Sequence, residues 1–444
     1  MVSMLDRLRK KLNNLSFLKQ KSRNDVFKNM AVLASGAIFA RLIGFGSTPI
    51  LTRIYTPEDF GLLAVFMAAL AMITLFATLR YSVAIPLLKN DGIAINLVFA
   101  SVFIVLIVTC LTIFFFGFFS SIIFDAFSLN NLGAYWWLLP VAVLGSGLYE
   151  ILKSWFTRQK DFKSLAKTDV YVTAGGAIIK IGLGLLGVKP LGLLLGAVFT
   201  NIIGAAPLIF KAYYSIKINI RYLSVTRIKF LLKCYVEYPK YRLPSQFILV
   251  LSQQAPLFVL ASLFGSGTVG QFSLALMALS IPVSLLGNTT GQAYYAEIAK
   301  IGRKNPEKIL EISKDVVKKL FIFSIIPFFI LLFAAPWLFS IIFGDMWYEA
   351  GEYARLLSIY MLAIFISAPL VNVLSVFENQ LLFFKLNIIR LGLLVGVFLF
   401  TWLMNFTPSE TIFLYSIVMS SFFVYVNYIV FKIIKHEIRI RNKK

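Results

Sequence analysis

"TPEDFGLLAVFMAAL" (residues 56–70) can be laid without a gap over "GSGTVGQFSLALMAL" (residues 265–279). Gly61 then falls on Gly270, and Ala69-Leu70 on Ala278-Leu279. Apolar helices resemble one another readily, so the match gains weight only if the rest of the chain divides the same way. It does. Apolar runs of about 20 residues recur along the sequence, each long enough to cross a ~30 Å hydrocarbon layer as a helix. They fall at 29–52, 60–82, 93–119, 134–156, 166–188 and 190–212, and again at 242–264, 268–293, 316–343, 353–377, 384–405 and 411–434. The basic segment 213–241 separates six from six. Six crossings return a chain to its starting side, so both halves have the same orientation, as a parallel repeat requires.

Composition supports a lipid-facing chain. Of 444 residues, 59% are hydrophobic and only 14% charged, against roughly 25% charged in an average soluble domain. The mean hydropathy is +0.83. A bilayer admits only helices or closed barrels, and the runs lack the period-two alternation of barrel strands. The expected class is an all-α integral membrane protein of about twelve transmembrane helices in two six-helix lobes, 29–212 and 242–434.

The net charge of +23 is distributed by membrane side and is not gathered into a nucleic-acid-binding face. With the N-terminus inside, 37 of the 43 Lys and Arg residues fall on cytoplasmic segments. Only Arg53 and Lys189 fall outside, while Arg41, Lys180, Arg355 and Arg390 lie within or at the edge of spans. Such a bias puts both termini in the cytoplasm. Residues 1–28 repeat Leu5, Leu8, Leu12, Leu15 and Leu18 on one helical face. They are expected as a basic amphipathic helix on the membrane surface, the alternative being a solvated coiled-coil-like arm. A basic tail, 435–444, closes the chain.

Reactive constellations are missing. No Gly-x-x-x-x-Gly-Lys loop, Asp-x-Asp pair, His-Glu-x-x-His or Gly-x-Ser-x-Gly occurs, so the motifs of nucleotide, metal and acyl chemistry are absent. "GLGLLG" (182–187) lies inside an apolar run, where glycines let helices approach. Two cysteines, Cys110 and Cys234, and a single histidine, His436, make no zinc spacing. The expectation is a transporter with no catalytic residues, metal or cofactor.

"ARLIGFGSTPILTRIYTPEDFGLLAVFMAALAMITLFATLRYSVAIPLL" (40–88) resembles the opening of bacterial polysaccharide translocases. These are the O-antigen-type, lipid-linked oligosaccharide flippases of the multidrug/oligosaccharidyl-lipid/polysaccharide (MOP) exporter superfamily. The resemblance continues through "LKSWFTRQKDFKSLAKTDV" (152–170), "GVKPLGLLLG" (187–196), "YPKYRLPSQF" (238–247) and "FGSGTVGQFSLALMALSIPVSLLGNTTGQAYY" (264–295). It implies two lobes around a central cavity that rock between inward- and outward-open states. It also implies a substrate, polyprenyl (undecaprenyl) diphosphate-linked oligosaccharide repeat units, moved from the cytoplasmic to the periplasmic leaflet of the inner membrane. Partners would be that lipid-linked substrate, the phospholipid bilayer and other polysaccharide assembly proteins.

Within that context the polar residues of the spans become candidates. Arg41 shares a helical face with Ala34, Ala37, Gly44 and Thr48, and Lys180 with Asp169, Thr173, Gly176, Gly184 and Gly187. A central arginine in lipid costs at least ~2.5 kcal/mol, so each is expected to face protein or a cavity. No acid is placed at their depth, which suggests that the diphosphate is the visiting counter-ion; the structural alternative is pairing to carbonyls. Arg390 would either extend a basic inner mouth or snorkel to headgroups. Gln246, Gln253, Asn288 and Gln292 line the second lobe, as contacts to sugar hydroxyls or as interhelical hydrogen bonds. Arg80 and Arg355 are expected at solvated ends. Two rival functions stand beside this one. A multidrug/cation antiporter of the same superfamily would want a membrane-embedded carboxylate. A polytopic glycosyltransferase or polymerase would want a large external loop or an acidic metal site.

Overall fold

The computed structural model describes residues 32–126, 133–282 and 288–442. The amphipathic segment expected over 1–28 lies outside them. Fifteen α-helices follow one another, with no strand among the described residues. In the first half they are α1 (Val32–Ile54), α2 (Pro57–Ala77), α3 (Asp91–Ala126), α4 (Leu138–Arg158), α5 (Phe162–Leu185) and α6 (Leu191–Asn219). The short α7 (Val225–Cys234) leads to α8 (Leu243–Pro282), α9 (Asn288–Ile301), α10 (Pro306–Phe343), α11 (Tyr348–Leu356), α12 (Ser358–Leu370), α13 (Asn372–Val376), α14 (Gln380–Leu403) and α15 (Pro408–Asn442).

Nine stretches among the described residues are long and apolar enough to span a bilayer. The other expected passes have identifiable hosts. The stretch Tyr238–Ile281 holds two, because Gly265 breaks α8 with φ +83° and ψ 177°. Helices α4 and α5 carry Glu150 and Lys153, and Asp169 and Lys180, within their lengths, which lowers their hydropathy below that of their neighbours. Large side chains such as Phe103, Phe118, Phe210 and Phe333 stand exposed on α3, α6 and α10, as a lipid-facing surface requires.

Helix starts follow local chemistry. Thr56 caps α2 in a reciprocal box with Asp59, and Pro57 occupies the first turn, where its missing N–H costs nothing. Asp161 caps α5 and Asn305 caps α10. Three expectations change. The segment 213–241 is mostly helical, with α7 followed by a π-helical turn at Tyr238–Arg242. The run 353–377 is divided among α11, α12 and α13. The second run ends at Ala77 and gives way to a 3-10 helix, Tyr81–Leu87, entered through Leu79 and Arg80 at positive φ.

The halves meet where α2 crosses α8, and glycine permits the approach. A Cβ on Gly61 would collide with the Ser266 carbonyl, and one on Gly270 with the Pro57 carbonyl. The gapless alignment that pairs Gly61 with Gly270 also pairs Pro57 with Ser266, so the contact is symmetric: each glycine sits on the other's equivalent neighbour. One continuous buried core runs through both halves.

Candidate functional site

Glycines and alanines also set the seam between α1 and α5. Gly36 faces Ala166, Gly44 lies 3.5 Å from the Thr173 methyl measured from an added Cβ, and Gly184 faces Ile54 and Tyr55. Contacts that advance together along both helices mean that the two run parallel. The register puts Arg41 near the level of Val170, and Lys180 about ten residues further on, or ~15 Å at 1.5 Å per residue. The two cations are therefore staggered along the membrane normal. Arg41 is half-buried and makes contacts of its own.

Lys180 is held by its surroundings at every point but its charge. Its methylene stem lies across Gly196 of α6, where a Cβ would overlap Lys180 Cγ. Gly176 is pressed against Thr200 and the Gly196 carbonyl one turn away. The Tyr55 hydroxyl donates to the Lys180 carbonyl at 2.7 Å. Among the described residues no carboxylate comes within 4.0 Å of the Lys180 ammonium.

Glu150 of α4 and Asp169 of α5 are engaged elsewhere. Asp169 accepts from the Tyr149 hydroxyl at 2.8 Å and pairs with Lys153 at 3.6 Å. Glu150 pairs with Arg80 at 3.3 Å and accepts from Ser82 Oγ at 2.7 Å, with Thr78 Oγ1 3.1 Å beyond. The expectation of a solvated end for Arg80 is corrected here. Its side chain is only 20% exposed, because the positive-φ turn after α2 folds it back onto α4. Arg355 pairs with Glu352 in the last turn of α11.

The second half separates its candidates. Arg390 is 8% exposed, with its guanidinium 5.7 Å from the centre of the Phe423 ring and close to Tyr415. Its Nε has no hydrogen-bond partner. Gln253 and Gln292 are exposed, and the side chain of Asn288 lies outside the described residues. Gln246 is half-buried with its Oε1 sequestered and without a donor, in the wall of a cleft of about 990 Å³. Sequence reasoning missed this cleft, whose walls come from two distant segments, although "YPKYRLPSQF" drew attention to one of them. Among the described residues no group of His, Cys, Asp and Glu could hold a metal ion.

The family model described as "Polysaccharide biosynthesis protein" matches residues 50–352. Among solved structures, the chain is similar to a multidrug resistance MATE family transporter of the MOP superfamily in its inward-facing conformation. That match has 15% identity, covers 91% of this chain and 99% of that one, and reaches a TM-score of 0.66. Lipid II flippase MurJ, in an inward closed conformation, is similar at 16% identity, with 90% and 87% covered and a TM-score of 0.67. An outward-facing MATE family transporter gives 14% identity, 92% and 96% covered, and a TM-score of 0.53. Identities at this level establish a shared fold. No curated protein matches.

Proposed function

This chain belongs to the polysaccharide biosynthesis protein family, and from that premise we propose that it is a flippase for polyprenyl diphosphate-linked oligosaccharide repeat units. It moves them from the cytoplasmic to the outer leaflet of a bacterial inner membrane, by alternating access between the lobes 29–212 and 242–434, without covalent chemistry. Both termini face the cytoplasm, where 37 of the 43 cations gather.

The observation that carries the reading is the Lys180 ammonium. It rides on a membrane-crossing helix, packed over Gly196 and without an acidic partner among the described residues. An ion so placed is costly unless an anion visits it, and a diphosphate is such an anion. Arg41, some 15 Å nearer the cytoplasm on the parallel neighbour, offers an earlier stop, and its planar fork suits two phosphate oxygens at once. Arg390, buried against Phe423 and Tyr415 and so neither at an open mouth nor snorkelling as expected, is proposed as a further cation of the same path.

Lys180→Gln is expected to reduce restored surface polysaccharide at least tenfold in a deletion strain while the membrane-inserted amount stays near normal. Arg41→Gln is expected to act alike, and Arg41→Lys to keep part of the activity. Wild-type polysaccharide from a well-expressed Lys180→Gln variant would overturn the reading. One observation favours the antiporter as second: Glu150 and Asp169 are carboxylates within the helix bundle. Each already has a basic partner, Arg80 and Lys153. Proton-driven efflux of a cationic dye, lost in Glu150→Gln, would reverse the ranking.

A further inference from the structure

The cleft of about 990 Å³ beside Gln246 lies away from the α1–α5 seam, and its lining has a chemistry of its own. One wall is the π-helical turn Tyr238–Arg242 and the first turn of α8; the other is the end of α13 and the first turns of α14. In the turn the Leu243 N–H reaches back to the Tyr238 carbonyl, an i→i+5 geometry that often marks functional sites. Lys240 and Arg242 both line the cleft and lie over tyrosine rings, at 5.0 Å from Tyr241 and 5.6 Å from Tyr238. Neither has an ion-pair partner among the described residues, although Glu237 lines the same cleft.

Three features point to a phosphorylated sugar. Two unpaired cations attract phosphate, and arginine can take two of its oxygens. The first turn of α14 has no side-chain cap, leaving backbone donors and the positive end of the helix dipole available to an anion. Gln246 and Gln380 bring an amide to each of the two walls, a donor-and-acceptor pair suited to sugar hydroxyls. A ligand that brings hydroxyls as well as phosphate therefore matches this lining better than phosphate alone. The volume is at the upper end of the roughly 300–1,000 Å³ of small-molecule sites, room enough for more than one ring.

We propose that this cleft is a docking site for the sugar-diphosphate headgroup of the lipid-linked cargo on the cytoplasmic face, with Lys240 and Arg242 on the phosphates and Gln246 and Gln380 on sugar hydroxyls. The proposal rests on the flippase reading and adds a station ahead of Arg41 and Lys180. A phospholipid headgroup shares the phosphate but not the sugar, and that difference is the test.

Full-length protein in detergent would be titrated with a short-chain prenyl diphosphate bearing N-acetylglucosamine, with the same prenyl diphosphate lacking sugar, and with phosphatidylglycerol. Lys240→Gln/Arg242→Gln is expected to weaken both diphosphates about tenfold or more. Gln246→Leu/Gln380→Leu is expected to weaken only the sugar-bearing probe, about fivefold. Thermal unfolding of each variant checks that it is folded. Unchanged binding of the sugar-bearing probe by both folded double variants overturns the proposal. So does equal loss of phosphatidylglycerol and sugar-bearing probe, which would mark a lipid-headgroup surface. Transport separates the two readings: Lys180→Gln is expected to lose it with the cleft intact. Transport by wild type that is untouched in the cleft variants sinks the docking site alone. A wild type that neither transports nor binds sinks both.

Discussion

At the scale of single residues, Gly196 shows how a position can be decided by a side chain distant in sequence. The Lys180 stem occupies the space of its missing Cβ, so bulk there displaces the cation. Gly196→Val is expected to cost about 1–3 kcal/mol through overpacking and to abolish transport, read by thermal unfolding and by surface polysaccharide. Adding Lys180→Ala is expected to recover much of the stability and none of the transport, which separates packing from charge. Asp161, in the connection between α4 and α5, makes a pH prediction. Burial raises its pKa, but hydrogen bonds from Lys211 at 2.5 Å and from the Ser164 side chain and backbone outweigh this and hold it below 3.8. A carboxyl depressed in the folded state stabilises at neutral pH, and that contribution is lost as pH falls below about 4. Lys211 is 55% exposed, so the term is modest, under ~1 kcal/mol. Asp161→Asn is expected to flatten the decline of Tm between pH 5 and 3; an unchanged slope would refute the assignment.

Among the helices, what could be read in advance was what depends on neighbours along the chain. Apolar runs announced the passes, and Thr56, Pro57 and Asp59 marked the start of α2. The Gly61–Gly270 alignment was visible as a repeat, but its physical reason was not, because the α2–α8 crossing joins residues about two hundred positions apart. The same blindness explains Arg80. Its depth depends on a positive-φ turn and on Glu150 of another helix, neither of which leaves a local pattern. Lys180 was legible as a cation on a glycine-lined face, whereas its stagger relative to Arg41 needed the register of α1 against α5. The cleft was illegible because Gln246 and Gln380 belong to helices that no periodicity connects. The crossing is itself testable. Gly61→Val pushes a branched side chain into the Ser266 carbonyl, and Gly270→Val does so at Pro57. Each is expected to lower Tm by several degrees and to impair transport, whereas Gly46→Val, with open space around it, is expected to do neither.

For the whole molecule, the end away from the basic segments is closed by contacts between the two halves. Arg53 donates to the carbonyls of Ile341 and Ile342 at 3.1 and 3.0 Å, satisfying the last turn of α10. Trp347 gives its indole N–H to the Thr52 carbonyl at 2.9 Å and lies edge-on to Phe60 at 4.9 Å. Beside them Gln271 bridges Met346 and Ala350, next to the Gly61–Gly270 crossing. The proposed alternating access would require this closure to open while the opposite end shuts, so its strength would bias the two-state equilibrium. Arg53 is exposed, which discounts its charged hydrogen bonds to the order of 1 kcal/mol, a roughly fivefold shift in population. In spheroplasts, a cysteine at Ser266 is expected to react slowly with an impermeant reagent in the wild-type background and several-fold faster with Arg53→Ala. A cysteine at Ser409 is expected to react equally in both backgrounds, and one at Ser164 in neither. An unchanged rate at Ser266 would remove Arg53 from the closure. Reaction at Ser164 with Ser409 silent would invert the proposed membrane orientation, and with it the direction proposed for the diphosphate past Arg41 and Lys180.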